Sequence, residues 1–443
     1  MRAYLDILRL VWPLALGMVN NALMQFVDRA YLARESMSSL EAVLPAGMLA
    51  WIFLGFFQAV VGYSGVFVAQ YHGAKDEARC RSVFRVAMLM ALVAGVAMLP
   101  LKPFGDFLLA LTASETLLGK ERAYYDVMVL GGVFVYVMMA AASYFTGRGK
   151  TRIVFWTGLV GNMINVVLDP VLIFGWWGLP KLGIRGAALA TVASIAVQTA
   201  LLVFAAVREM RRSPQPRVSS RGLVADLLRY GVPAGLFEVL NMAAFTIFVF
   251  VTEGVGHLEL AVSNACFTVN YLLFAPMTGF ALGAQTLVGQ ARGRGDDAAA
   301  FTALRRTLIL GLAFVAVACA LMLAFHHQIL SIFSSQTAGE AAEFHRLGFV
   351  LLLMMTAWML FDAADVIVSG ALKGVGDTRF VLLWTTVNSF LLWLPVVFVV
   401  RQVHNTMPAL WATNIGYVVI VGAGSIIRWK RGNWRARRMI DHG

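Results

Sequence analysis

Five carboxylates in this chain stand where carboxylates are expensive. Asp28, Asp169, Glu238, Asp362 and Asp365 each lie inside a long apolar stretch, whereas most of the 24 acidic residues sit in the polar segments between such stretches. An ionisable acid among apolar neighbours is retained where it binds a cation, carries a proton or faces a partner or a watery cavity. Their spacing supplies companions. Asn21, Gln25 and Asp28 fall at i, i+4 and i+7, and Asn162, Asn165 and Asp169 at i, i+3 and i+7. Trp358, Asp362, Asp365 and Ser369 repeat the device, and Glu238 precedes Asn241 by three. Each set makes one polar stripe on a helix that is otherwise greasy. Carboxylate and amide oxygens so grouped suit proton exchange or a hard cation such as Na+.

The elements that must carry these stripes follow from composition. Hydrophobic residues make 60% of the chain and charged residues 14%, with a mean hydropathy of +0.75. No soluble domain of this length keeps that balance, so the expected class is an all-α polytopic membrane protein. Twelve stretches are long enough to cross a bilayer core, the first at 9–33 and the last at 407–428.

The chain also says the same thing twice. RLVWPLALGMVNN (9–21) is answered 220 residues later by RYGVPAGLFEVLN (229–241), with the arginine, proline and closing asparagine in register. VAQYHGAKDEA (68–78) is answered at the same offset by VGQARGRGDDA (288–298), and TGRGKTRIV (146–154) by KGVGDTRFV (373–381) at an offset of 227. Six stretches separate the copies, an even number, so both enter the membrane from one side. The expected architecture is two six-helix bundles related by a pseudo-two-fold axis along the membrane normal. The expected division is 1–207 for the first bundle, 208–228 for a basic Pro- and Ser-containing linker, and 229–443 for the second bundle with a short basic tail.

Lys and Arg favour the termini and the even-numbered connectors by about three to one, which places both termini in the cytoplasm of a multi-pass plasma (inner) membrane protein. The formal charge of +12 then reflects loops meeting anionic lipid, and with no basic soluble domain no nucleic-acid partner is expected. Pro13, Asn20, Asn21 and Asp28 interrupt what would be a leader core, so the first stretch is expected to persist as a helix. Cys80, Cys266 and Cys319 have no metal-ligand spacing, and neither a disulfide nor a zinc site is expected.

With that topology, Asp28 and Asp169 share a depth in the outer half, roughly 25–30 Å from the inner ends of their helices. A cation-binding or protonation site of Asp28, Asn165 and Asp169 is therefore expected within the first bundle, the only metal allowed being Na+. Asn21, Gln25 and Asn162 would support it, more as packing than as ligands. Glu238 and Asp362 share a depth of about 13–17 Å, so a second acidic site of Glu238, Asn241, Asp362 and Asp365 is expected in the second bundle. Pro13 removes a backbone hydrogen bond from the first helix and would act there as a static kink or a hinge.

GNMINVVLDPVLIFG (161–175), GIRGAALAT (183–191), LVGQARGRGD (287–296) and SGALKGVGDTR (369–379) together resemble the multidrug and toxic compound extrusion (MATE) transporters, with features of both the DinF-like and NorM-like branches. The resemblance covers all twelve stretches. It implies two bundles in a V that open alternately to either side, exchanging H+ or Na+ for organic cations. It also implies that Asp28 and Pro13 match the family's first-helix aspartate and proline, Asn165 and Asp169 its fifth-helix pair, and Asp362 its tenth-helix aspartate. Where the NorM-like branch has glutamate in the seventh helix this chain has Asn241, its own Glu238 standing one turn earlier.

The expected function is thus a cation-coupled antiporter exporting small, lipophilic organic cations, with no cofactor, no obligate protein partner and no enzymatic activity. Export of a lipid-linked or anionic metabolite is the alternative, disfavoured because the deep charges are acids rather than arginines. An intramembrane aspartyl protease is more remote. GVGD (374–377) fits its G-x-G-D string, but the first copy carries GRGK (147–150) at the same place, and both lie in turns on the inner face.

Overall fold

The computed structural model describes residues 2–112, 114–216, 218–334, 338–436 and 439–440. Among these, every regular element is helical, and twelve helices are long and apolar enough to cross a membrane. They are α1 (Tyr4–Glu35), α2 (Met37–Gly73), α3 (Glu77–Met98), α4 (Thr116–Gly147), α5 (Thr151–Phe174), α6 (Ile184–Arg212), α7 (Leu223–Glu253), α8 (His257–Gly293), α9 (Asp297–Ala324), α10 (Gly339–Gly374), α11 (Thr378–Val403) and α12 (Met407–Arg431).

The third membrane-spanning helix stops at Met98. Pro100 and Pro103 follow, and a separate helix, Leu101–Thr112, carries the chain on. The ninth ends at Ala324 in the same way, with His326–Ser331 forming its own short helix beyond it. Halfway along α11 the ladder widens to a π turn over Asn388–Trp393. There Asn388 Nδ2 donates to the Trp384 carbonyl (2.7 Å) and Ser389 Oγ to that of Thr385 (2.8 Å), while Pro395 has no N–H to donate, so the regular pattern is broken from both sides.

Helices α1–α6 form one lobe and α7–α12 the other. The contacts between lobes are two-fold in kind: α1 packs on α8 and α2 on α7, with the C-terminal end of α2 also against α8. Close backbone approach fixes both pairings. A Cβ on Gly279 of α8 would stand 2.5 Å from the Ala15 nitrogen, and one on Gly231 of α7 would stand 2.8 Å from the Val60 oxygen.

The lobes also exchange their leading segments. Ile7, Leu10, Val11 and Leu14 of α1 belong to the core of the second lobe. Leu227 and Ala234, the residues 220 positions after Ile7 and Leu14, belong with Leu223 to a core of the first. The sequence division at 207 and 229 therefore describes the chain order but not the packing, since the start of each half is buried in the other. Pro13 and Pro233 lie within unbroken helices at the place where α1 and α7 pass from the opposite lobe's core into their own.

The linker is shorter than expected, because α6 continues to Arg212 and α7 begins at Leu223. Its start is pinned to α3, where Arg81 donates to the carbonyls of Met210 (3.1 Å) and Ser213, and Ser82 Oγ to that of Val218 (3.3 Å).

Candidate functional site

The first polar stripe folds as its spacing requires. α1 and α5 pack side by side in the first lobe, and their polar faces meet. Asn162 Nδ2 donates to Asn21 Oδ1 at 3.0 Å. One turn further along, the Asn165 amide donates to Asp28 Oδ1 at 2.8 Å while its oxygen accepts from the Thr191 N–H of α6 at 3.3 Å. Asn165 and Asp169 are wholly buried. Among the described residues no donor reaches either Asp169 oxygen, and the ionisable group it faces is Asp28. Tyr124 of α4 lies within electrostatic reach of both carboxyls, and Arg29 within reach of Asp28.

Two carboxyls held against one another, one of them without a donor, are compatible when a proton or a cation lies between them. The donor set is all oxygen: two carboxyls, one of them fixed in place by an amide, with the Tyr124 phenol within electrostatic reach of both. That set fits a proton or a hard monovalent ion and is too small in acidic groups for a divalent cage; among the described residues no cluster of three His, Cys, Asp or Glu could hold a metal. The three cysteines are free and buried.

Gln25 departs from its stripe. Its amide crosses to the other lobe and donates to the Tyr271 hydroxyl of α8 at 3.4 Å. Spacing could place Gln25 on the polar face of α1, but only packing shows that this face is divided between α5 and α8.

The second lobe separates what depth alone had joined. Asp365 Oδ1 accepts from Ser425 Oγ of α12 (2.7 Å) and from Ser369 Oγ (3.3 Å), and the two hydroxyls lie 3.4 Å apart. Asp362 neighbours Asp365, and Tyr417 of α12 lies within electrostatic reach of both. Tyr417 is itself held by Ser389 (2.8 Å) and by stacking on Trp393 (4.7 Å between centroids).

Glu238 is elsewhere. Its carboxylate lies 3.3 Å from Lys373 Nζ, at the C-terminal end of α10, and its side chain is 52% exposed. Asn241 is exposed too and makes no side-chain hydrogen bond among the described residues. The expected four-residue site is thus two sites, because equal depth does not give equal direction. Asp365 turns toward α12, where its Cβ packs beside Gly422, while Glu238 follows Gly231 and Gly235 on the face of α7 that meets α2. Tyr124, Thr191, Tyr417 and Ser425 went unread in the sequence, since a lone tyrosine, threonine or serine in an apolar helix carries no spacing signal. Lys373 was visible only as part of a duplicated turn.

An all-helical membrane protein of two like lobes, joined about a pseudo-two-fold axis and holding buried acids inside each lobe, has the architecture of a transporter. The MatE family model matches residues 13–171 and again 233–399. The chain is 24% identical to the probable multidrug resistance protein NorM of Thermotoga maritima, covering 98% of this chain and 94% of that protein. It is 27% identical to the probable multidrug resistance protein YoeA of Bacillus subtilis, covering 91% and 88%. The fold matches a structure described as the outward-facing conformation of a multidrug resistance MATE family transporter of the MOP superfamily, with a TM-score of 0.85, 20% identity and 98% and 96% of the two chains covered. This chain belongs to the MatE family: it is a multi-pass membrane transporter and not an enzyme.

Proposed function

We propose that this transporter exports small, lipophilic organic cations in exchange for H+ or Na+, and that Asp28, Asn165 and Asp169 form its coupling site. The observation that carries the reading is the pairing of Asp28 with Asp169, whose buried oxygens have no donor of their own among the described residues. A proton or Na+ between them stabilises the arrangement in which α1 and α5 hold their polar faces together. Loss of that ion sets two carboxylates against one another and favours a different packing of α1.

Substrate and ion then exclude one another by favouring opposite arrangements of the lobes. The substrate would occupy the space between the lobes, where aromatic and methionine side chains suit flat cations. Pro13, at the boundary between two differently packed parts of α1, would serve as the hinge. The names of the relatives, multidrug resistance proteins, agree with efflux of this kind. The excess of Lys and Arg on the face carrying both termini supports a cytoplasmic position for that face, in a plasma (inner) membrane. No cofactor and no protein partner enter the scheme.

The test is dye accumulation in everted vesicles with a pH gradient and a Na+ gradient imposed separately. One of the two is expected to drive uptake, and Asp28→Asn is expected to abolish it while the protein still inserts at wild-type level. Uptake by Asp28→Asn at the wild-type rate would sink the assignment.

A further inference from the structure

The duplicated turns on the terminal face meet each other across the lobe boundary. Gln70, near the end of α2, donates its side-chain amide to the Gly374 carbonyl at the end of α10 (3.0 Å). Gln290, the residue 220 positions later near the end of α8, donates to the Gly147 carbonyl at the end of α4 (2.8 Å). Gly374 is the residue 227 positions after Gly147. The two repeat offsets that differ along the sequence are thereby joined in one pair of like bonds, each running from one lobe to the other.

These acceptors are of a particular kind. The last four carbonyls of a helix have no partner within it, and they carry the negative end of its dipole. The following turns satisfy some of them: Gly149 N–H bonds the Thr146 carbonyl and Lys150 N–H that of Phe145, and in the second copy Gly376 N–H bonds that of Lys373 and Asp377 N–H that of Leu372. Gly147 and Gly374 receive no backbone donor from these turns and take the glutamine amides of the opposite lobe instead.

Two glycines let the backbones come this close. A Cβ on Gly73 would collide with the Gln290 carbonyl oxygen, and one on Gly293 with that of Gln70. The Gln70 bond is buried, and it has two auxiliaries. Tyr63 donates its hydroxyl to the Lys373 carbonyl at 2.6 Å, and Met439 sets its sulfur 3.2 Å from the Gln70 amide.

We propose that Gln70 and Gln290 are paired positioning residues of the transport cycle: their amides hold the terminal face closed by capping the carbonyl ends of α10 and α4, and both bonds must break for the lobes to part at that face. Parting the lobes leaves two helix-end carbonyls and two amides to find water, so the bonds favour the closed arrangement without fixing it. The role rests on the protein being a two-lobed transporter and not on which ion drives it.

The test is a distance measurement on the full chain in nanodiscs, without substrate or gradient. Spin labels are placed at Lys75→Cys and Arg294→Cys, exposed positions on either side of the closure, after Cys80, Cys266 and Cys319 are replaced by serine. Gln70→Met and Gln290→Met keep the length of the side chain and remove the donor.

A net hydrogen bond is worth about a fivefold change in an equilibrium, so each single variant should raise the ratio of the long-distance to the short-distance population about fivefold, and the double variant roughly thirtyfold. An unchanged distance distribution in the folded double variant would overturn the proposal. If the double variant does not fold, the two single variants decide between the same outcomes. Gly73→Ala, which removes the close approach by a different route, should shift the distribution in the same direction, and a distribution that stayed at the short distance in that variant would count against the closure. Dye transport that failed under both gradients would bear on the coupling site alone and leave these distances standing.

Discussion

Replacing Asp169 by asparagine should make this protein more stable and useless at once. Asp169 is fully buried in α5, its two oxygens lack donors among the described residues, and it faces the Asp28 carboxyl. An acid at membrane depth costs about 2.5 kcal/mol or more on insertion scales, and a buried acceptor without a partner costs roughly 1–3 kcal/mol. Asparagine removes the charge, occupies nearly the same volume and offers an N–H that can donate to Asp28. The expected gain is therefore about 1–2 kcal/mol. In a chain of 443 residues that corresponds to a rise in Tm of roughly 1–4 °C, since the shift per kcal/mol shrinks as the unfolding entropy grows with size.

The assay is a thermal melt followed by tryptophan fluorescence in detergent, run beside dye uptake in everted vesicles. Wild-type uptake together with a raised Tm would show that the acid is a structural burden with no part in coupling. A fall in stability of more than about 1 kcal/mol would show that the Asp169 carboxylate has a partner that stabilises it, and the reasoning from its unpartnered oxygens would be wrong.

The neighbouring residues give three further expectations. Asn165→Ala takes the amide from Asp28 and the acceptor from Thr191 N–H, so Tm should fall by a few degrees and uptake should drop sharply, whereas loss of an inert packing residue would leave uptake intact. Ser425→Ala removes the shorter of the two hydroxyl bonds to Asp365; a destabilisation of about 1 kcal/mol with uptake reduced less than in Asp28→Asn is expected, and an effect as large as that of Asp28→Asn would move the coupling site to the second lobe. Glu238→Gln breaks an ion pair whose acid is 52% exposed, so its effect on Tm should correspond to less than about 1 kcal/mol, with transport reduced only mildly.

How far the site could be read in advance depended on what kind of information each residue carries. Asp28, Asn165 and Asp169 were legible together because two helices with polar stripes at equal depth, in the same bundle, have few ways to avoid meeting. Glu238 and Asp362 satisfied the same test of depth and yet lie apart. Depth follows from counting residues along a helix, but direction depends on which neighbour each face packs against. Asn21, Gln25 and Asp28 show the same limit within a single stripe: the first and last turn to α5, and the middle one reaches Tyr271 in the other lobe.

What the amino-acid order determined by itself is the membrane class, the twelve spans, the duplication and the identity of the costly acids. Each follows from hydropathy, helix length and repetition, which are properties of the chain taken a few turns at a time. Only the tertiary structure decided that the leading segments of α1 and α7 are packed in opposite lobes, with Pro13 and Pro233 at the crossings. It alone brought Gln70 and Gln290 to the orphaned carbonyls of Gly374 and Gly147. A repeated motif shows that something is kept twice. What it is kept for depends on contacts between residues more than a hundred positions apart, and those exist only once the two lobes close around one axis.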